Sequence, residues 1–504
     1  MRGILLLKDK KVLVVGLGTL GGGISTIKWL LKQGAHVTIT DLRTEKELEN
    51  SIKELNSFIK TEYKKLYATH RTQQKNVLCF VLGKHRESDF KNNEIIVVNP
   101  AVKIKGNQFL EITKKSGKII INDLIFFLEN NSRPIIAVTG TRGKTTTTNW
   151  IAHFLSSKYR DTKAGGNSSH EAFLKILSEK EGRKKTPVVL ELSSFQLEIA
   201  HKTKHAPDIV LITNLYRDHL NRHGTMSSYA LAKAQIFKHQ KKNQFLVLNK
   251  DDKWTNFFLK KNPSSTIFFF SQKPLSKNKN GIYVKQNCVY FKNKNIDKLI
   301  LSEKKYIEFK NNWGVHNVQN LLGALIISHL FGISWNVLVT QISSLPSIPY
   351  REEIIIKKKN LLIVNDTTAT SPEGSIAAIE RFKKHNTFLI TGGTDKNLEY
   401  SAWAREVKKY IHPQNLFLLN GSATKKMIRE LKKINYFKKI QPQLFENLQT
   451  ILKTIKNITT QENSSSLIRN QRVILFSPSS ASFEKFKNEF DRGEKFNLYS
   501  KQLF

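Results

Sequence analysis

The sequence predicts an α/β protein of more than one domain, and three observations carry that reading. Twice a short apolar, β-rich run leads directly into a glycine turn and then a helical stretch: "VLVVGLGTLGGG" at 12–23 and "IIAVTGTRGKTTTT" at 135–148. Further strand-like runs end in polar residues, as in "PVVLELSS" at 187–194, where ligands gather in open α/β sheets. The chain has 504 residues, too many for one ordinary core, so two to four domains are expected.

The first unit opens with a strand over Val12–Val15, followed at once by Gly16-Leu17-Gly18-Thr19-Leu20-Gly21. An amphipathic helix to about Lys32 comes next, then a strand from His36 to Thr40 ending in Asp41. This is a βαβ unit with G-x-G-x-x-G in its proper context and an acid about twenty residues on, which points to a dinucleotide or nucleotide-sugar site. A plain α/β unit is the alternative. "EIIVVNPAV" (94–102) reads as another strand with a proline-marked turn, and "KIIINDLIFFL" (118–128) leads into a second α/β domain beginning near residue 117.

That second domain carries a shortened phosphate loop. The usual spacing, G-x-x-x-x-G-K-[ST], would need a glycine at position 138, which is Val138; the first glycine is Gly140. Gly140 and Gly143 can take positive φ and let the backbone close on an anion. A helix beginning near Lys144 would aim its free N–H groups at phosphates, with Lys144 along the β/γ-phosphates and the Thr145 hydroxyl on Mg²⁺. Alone, the run leaves open a strand–turn–helix corner with a chance lysine.

Downstream, Glu191 ends the strand 187–190 and stands where a second acid holds metal beside a phosphate loop, or where an ordinary acid caps a helix. The strand 208–213 ends in "NLYRDHLNRHGTMSSYALAKAQIF", in which Asp218, His219 and His223 cluster and a helical stretch carries Lys233. Read from residue type alone, Lys233 is a solvent-facing helix lysine.

Composition narrows the function. The two cysteines, Cys79 and Cys288, lie far apart and in no metal-like spacing, so no disulfide framework is expected. No apolar run approaches a membrane span, and Ile4–Leu7 followed by Lys8-Asp9-Lys10-Lys11 is no signal peptide, so a reducing cytoplasm is expected. The formal charge of +41 would suit a polyanion partner, but the lysines are spread along the chain without an arm, an aromatic base-stacking signature or a helix-turn-helix. Nucleic acid is therefore the lesser expectation, and small anionic substrates the greater.

Taken together these motifs resemble the Mur ligases, and among them the branch that adds D-glutamate. "TGTRGKTT" is that family's form of the phosphate loop and "LELSSFQL" its most specific motif; "DHLNRHG", "YALAKAQIF", "WGVHNVQN", "IPYREE", "NDTTATSPEG", "GGTDKN" and "LFSPSSASFEKFKNEFDRG" follow in the family's order. The resemblance runs from Lys11 to about Asn497, with the excess length in lysine- and asparagine-rich insertions such as 45–75. It implies three α/β domains: a Rossmann-like domain over 1–116 for the UDP end of the substrate, a central P-loop ATPase-like domain over 117–347, and a Rossmann-like domain over 348–504 that brings the amino acid. It further implies an ATP-dependent ligase joining D-glutamate to UDP-N-acetylmuramoyl-L-alanine through an acyl phosphate, in peptidoglycan precursor synthesis, working as a monomer with no membrane partner.

Position by position, the resemblance implies that Gly140, Thr141, Arg142, Gly143, Lys144, Thr145 and Thr146 cradle ATP. It puts Asn317 and Asn320 toward adenine and ribose, and Arg351 and Asp366 at the phosphates. Gly18, Asp41, Arg43, Asn167, Ser193 and Gln196 match positions that meet the UDP-substrate, and Lys396, Ser482 and the segment around Glu489 those that meet D-glutamate. Two Mg²⁺ sites are implied, one on Thr145 and Glu191, the other on His219 and a carbamylated Lys233, so that Lys144, Glu191, His219 and Lys233 would carry the catalysis. Three residues depart from the pattern: Thr368 where many relatives have a lysine that helps bind D-glutamate, Asn221 for a common aspartate, and Tyr350 where histidine is frequent.

Overall fold

Three parallel-rich sheets organise the chain, as seen in a computed structural model that describes all residues except 1–6, 19–20, 64–76, 167–171, 179–184, 295, 439 and 464–470. The first sheet has the order β3-β2-β1-β4-β5 and is wholly parallel, with β1 Lys11–Val15, β2 His36–Asp41, β3 Leu78–Leu82, β4 Ile95–Val98 and β5 Ile119–Ile121. Its order reverses beside β1, so the Gly16–Gly18 turn after β1 opens at the topological switch point, where such sheets bind ligands. The boundary read from the sequence lies near residue 116, whereas Ile119–Ile121 pairs with β4 and belongs to this first sheet.

The second sheet has nine strands, formed by β6 Ile135–Thr139, β7 Lys163–Gly166, β8 Val188–Glu191, β9 Ile209–Ile212, β10 Phe245–Asn249, β11 Thr266–Ser271, β12 Gly281–Lys285, β13 Cys288–Asn293 and β14 Ile296–Leu301. β6, flanked by β8 and β9, is buried at every position, which is why it reads as an unbroken apolar run rather than an alternating one. The last strands, β12 to β14, pair antiparallel at the far edge. One apolar cluster joins these two sheets: Val12, Val14 and Trp29 on the first side, Phe126 and Phe127 between, Ala137 and Leu190 on the second. The rings of Trp29 and Phe126 lie 5.3 Å apart. Residues 1–303 and 319–344 accordingly form one compact unit.

The second unit comprises residues 304–318 and 345–504. Its six-stranded sheet runs β15-β16-β20-β17-β18-β19, from β15 Glu353–Lys358, β16 Leu361–Asn365, β17 Asn386–Thr391, β18 Leu416–Leu419, β19 Gln443–Phe445 and β20 Arg472–Phe476, with β15 alone antiparallel to its neighbour. Alternation along the strands separates two cores: Leu389, Leu418 and Leu475 face one helical layer, and Phe388, Ile390, Phe417 and Ile474 the other. Among the described residues, no helix is long and apolar enough to cross a membrane.

Candidate active site

The phosphate loop follows β6, and its glycines are dictated by what surrounds them. Gly140 has φ 145° and Gly143 φ 78°; a Cβ on Gly140 would stand 1.9 Å from Thr213 Oγ1, and one on Gly143 2.1 Å from Asn320 Oδ1. A side chain at either place would strain the positive-φ backbone and displace these neighbours. The loop is pinned from the end of β9: Thr141 N–H donates to Asn214 O (2.9 Å), Arg142 N–H to Asn214 Oδ1 (2.8 Å), and Thr213 Oγ1 to Arg142 O (2.7 Å). The helix Lys144–Ser156 then starts with Gly143 as its N-cap and no side-chain cap, which leaves its first amides directed into the loop. Lys144 Nζ folds back to Thr141 O at 3.2 Å. Asn320, from the helix Asn317–Leu330, accepts from Thr147 Oγ1 at 3.3 Å and so lies against this loop. Thr145 is buried in the first turn of the helix.

Glu191 is the last residue of β8, level with Val138 on β6, and is 3% exposed. Its Oε2 is buried without a hydrogen-bond partner among the described residues. A bare carboxylate oxygen in such a place is costly unless a cation or donor meets it, so its chemistry fits a hard metal ion completed by phosphate oxygens.

Lys233 departs from the solvent-facing placement that residue type alone suggests. It is 1% exposed, near the end of the helix Met226–Ala234, and its Nζ donates to Gly140 O at 2.8 Å while lying 4.7 Å from the centre of the Tyr229 ring. Burial, and then the Lys144 charge, pull its amine well below 10.5, against the smaller opposing pull of Asp218 and Glu191. Tyr229 Oη meets Thr141 Oγ1 at 3.1 Å, tying this helix to the loop. Arg142 pairs with Asp218 (3.1 Å), and His219, at φ 53°, N-caps the short helix Leu220–His223. The His219 ring stands edge-on to Phe195, 4.9 Å away. No three His, Cys, Asp or Glu side chains converge as a metal cluster among the described residues.

Ser193 and Gln196 form a capping box on the helix Ser194–Leu197: Gln196 N–H donates to Ser193 Oγ and Ser193 N–H to Gln196 Oε1. At the first sheet, Asp41 accepts from Leu17 N–H (2.8 Å) and takes Arg43 bidentately through Nε (3.0 Å) and Nη2 (2.6 Å). Burial pushes the Asp41 carboxyl up, but those bonds outweigh it and hold it below 3.8. Asn167 lies outside the described residues.

In the second unit Asp366 follows β16 and accepts from Ser477 Oγ (2.7 Å) and Glu352 N–H (3.2 Å). Burial, then the Glu352 charge, lift its carboxyl well above 3.8. Arg351 is the residue before Glu352, and Asn317 Nδ2 donates to Trp313 O at 2.8 Å. Ser482 is 3% exposed with Oγ lacking a partner among the described residues, and Lys396 is exposed. Thr368 is turned inward: its Oγ1 donates to Tyr350 O at 2.7 Å.

Sequence reasoning missed several residues that shape the loops around these positions. Asn214 is silent in the sequence because it contributes through a turn seventy-odd residues from the loop it pins. Asn99, whose Nδ2 would lie 2.9 Å from a Cβ on Gly18, is signalled only by the proline turn "VVNPAV". The fully buried Arg492 was visible only as part of "FDRG".

Comparison with known proteins gives the chain its relatives. Residues 10–121 match the Mur ligase MurD-like N-terminal domain, and residues 138–328 the Mur ligase middle domain. The UDP-N-acetylmuramoylalanine--D-glutamate ligase of Borreliella burgdorferi strain B31 is 34% identical over 498 residues, covering 97% of each chain. That of Roseiflexus sp. RS-1 is 31% identical, covering 97% of this chain and 98% of its own. Among solved structures, the UDP-N-acetylmuramate-alanine ligase MurC of Thermotoga maritima superposes with a TM-score of 0.55 at 16% identity, covering 98% of this chain and 99% of its own. MurF of Acinetobacter baumannii gives 0.55 at 15% identity, covering 83% and 93%. The chain belongs to the Mur ligase family.

Proposed function

We propose that this protein joins D-glutamate to UDP-N-acetylmuramoyl-L-alanine at the expense of ATP, a step of peptidoglycan precursor synthesis carried out in the cytoplasm by a monomer. The match to D-glutamate ligases along 97% of the chain carries the reading, and the phosphate loop with a bare carboxylate at Glu191 supports it from the chemistry.

A carboxylate and an amine do not condense in water, because oxide would have to leave. The terminal carboxylate of the alanyl group attacks the γ-phosphorus of ATP; the P–O bond to ADP breaks and an acyl phosphate forms. The uncharged amine of D-glutamate then attacks the carbonyl carbon, the tetrahedral oxyanion collapses, inorganic phosphate leaves and the nitrogen gives up a proton. Positioning and charge neutralisation dominate phosphoryl transfer. Gly140 to Thr146 would hold the phosphates by backbone amides, Lys144 would lie along the β/γ-oxygens, and Arg351 and Asp366 would serve the same nucleotide with Asn317 and Asn320.

Mur ligases use ATP with Mg²⁺, and Mg²⁺ when bound neutralises phosphate charge. Thr145 and Glu191 would hold one ion; the orphaned Glu191 Oε2 fits that task. His219 and Lys233 would serve a second. An ammonium would repel Mg²⁺, but burial pulls the Lys233 amine toward its neutral form, which is the form that adds CO₂ and would become an anionic oxygen ligand. Gly18, Asp41, Arg43, Asn167, Ser193 and Gln196 would meet the UDP-substrate. For D-glutamate, Ser482 offers an unsatisfied hydroxyl and Lys396 a cation; Thr368, committed to the Tyr350 carbonyl, adds no charge.

Incubation with ATP, UDP-N-acetylmuramoyl-L-alanine and each candidate amino acid, following phosphate release, tests this. D-Glutamate is expected to support turnover and L-glutamate to fail, because its amine and side-chain carboxylate cannot both reach their places. Turnover with a neutral or basic amino acid, and none with D-glutamate, would refute the assignment while leaving the ligase chemistry standing.

A further inference from the structure

We infer that Arg222 is a positioning residue that fixes the span between the nucleotide end of the first sheet and the reacting end of the second. The inference rests on the reaction proposed above. Arg222 has a side chain 7% exposed and spends its planar fork on three groups at once. Nε and Nη2 donate to the two carboxylate oxygens of Glu198, both at 2.8 Å; Nη2 also donates to Val102 O at 2.7 Å and Nη1 to Ala101 O at 3.1 Å. The guanidinium lies 4.9 Å from the centre of the Phe195 ring.

Each partner leads to one end of the substrate path. The turn 99–102 continues from β4, with Asn99 N–H bonded to Val15 O at 3.0 Å and the turn closed by Val102 N–H to Asn99 O at 2.9 Å. It is wedged on the glycine-rich turn: Val102 Cγ2 and Asn99 Cβ stand 3.1 and 3.2 Å from the place of a Cβ on Gly16. On the other side, Phe195 belongs to the helix that Ser193 and Gln196 cap and meets the ring of His219, while Glu198 ends that helix and Arg222 itself lies three residues past His219. Arg222 is thus a direct bridge between the turn packed on the glycine loop and the His219 segment, beside Asn122 Nδ2 to Gln196 O (2.8 Å) and Lys202 Nζ to Ile120 O (2.8 Å), which tie the same two sides further off.

A substrate gripped at its UDP end must deliver its carboxylate to the phosphate loop, and a misplacement of about 1 Å costs about 100-fold in rate. Lysine could keep the charge but could not hold a carboxylate and two carbonyls in fixed directions. This predicts an uncoupling that a merely structural role would not produce.

The test compares the parent with Arg222→Lys and, separately, Glu198→Gln, measuring binding of UDP alone, binding of a non-hydrolysable ATP analogue alone, and kinetics with the full UDP-N-acetylmuramoyl-L-alanine. Fragment affinities are expected to stay within about twofold, and kcat/KM for the spanning substrate to fall about 30-fold or more. Unchanged kcat/KM, or loss of UDP affinity by the same factor as kcat/KM, would overturn the inference. So would failure of both variants to fold, which would make the clasp part of the scaffold. Absence of turnover in the parent would instead refute the proposed reaction.

Discussion

Lys233 and Arg492 are both cationic residues shut away from solvent, 1% and 0% exposed, and they are held in opposite ways. In the second unit, Arg492 aims its guanidinium at Thr367 Oγ1 (3.0 Å), Thr367 O (2.7 Å), Ser480 O (3.2 Å) and Ala481 O (3.0 Å), so that one side chain staples the loop after β16 to the loop after β20. In the first unit, Lys233 meets one carbonyl, a distant hydroxyl and the face of a tyrosine, with another lysine's charge nearby. A buried cation with its donors satisfied stays charged at little cost, whereas a buried amine with few partners is drawn toward its neutral form. That difference in compensation is what sets the two residues apart.

The largest expected effect comes from removing the charge proposed to lie along the β/γ-phosphates. Lys144→Ala should lower turnover by at least about 100-fold while the thermal midpoint barely moves, as measured by phosphate release and calorimetry. Near-normal ADP production would make the loop an ordinary corner.

Next come the two buried cations themselves. Lys233→Ala should lose most activity and regain part of it with high concentrations of acetate or formate, which replace the missing anion; Lys233→Arg should not be rescued, since its guanidinium cannot take up CO₂. An alanine variant as active as the parent without added acid would contradict the carbamate. In stability the order inverts: Arg492→Met should cost about 3 kcal/mol, because it strands buried carbonyls, whereas Lys233→Met should stay within about 1 kcal/mol of the parent. Equal losses in denaturant melts would erase the contrast.

A smaller effect is expected in the second unit, where His316 (2.8 Å) and Arg381 (2.7 Å) pair with the buried Glu352. Burial pushes Glu352 up, but these two cations outweigh it; burial lowers His316, and Glu352 outweighs that, leaving the imidazole above 6.5. His316 therefore contributes stability that is complete below pH 6.5 and fades as pH rises through its folded pKa. Asp366, lifted from 3.8 to about 8, loses stability in the same direction between those two values, and the loss is complete once it has ionised in the fold. The thermal midpoint should fall as pH rises above 6.5, and Glu352→Gln, which removes the anion acting on both groups, should flatten that slope. A parallel slope in the variant would assign it elsewhere.

Much of this was legible in the sequence because it is local. Strand, glycine turn and helix follow one another without a gap at Gly16–Gly18 and at Gly140–Gly143, and Glu191 announces itself as an acid ending an apolar run. What escaped depends on distant partners. The helix Met226–Ala234 is short and carries Ser, Ala and Lys without a clear apolar stripe, so nothing in "SSYALAKA" foretells that Lys233 points inward rather than out. The Glu352 network joins residues up to 69 apart in the chain, and the clasp of Arg222 reaches 121 residues back to Ala101. Part of the insertion at 45–75 folds as a helix, Glu49–Phe58, packed through Leu55 and Phe58; a lysine-rich composition gave no reason to expect that burial.

Activation of the substrate carboxylate by ATP is the step on which the proposed reaction turns. The measurement is to supply UDP-N-acetylmuramoyl-L-alanine labelled with ¹⁸O in its terminal carboxylate, together with ATP and D-glutamate, and to weigh the phosphate released. Attack of the carboxylate on the γ-phosphorus followed by amine attack on the carbonyl predicts one labelled oxygen in the phosphate for each amide formed. Phosphate released without label while product accumulates would contradict the acyl-phosphate route.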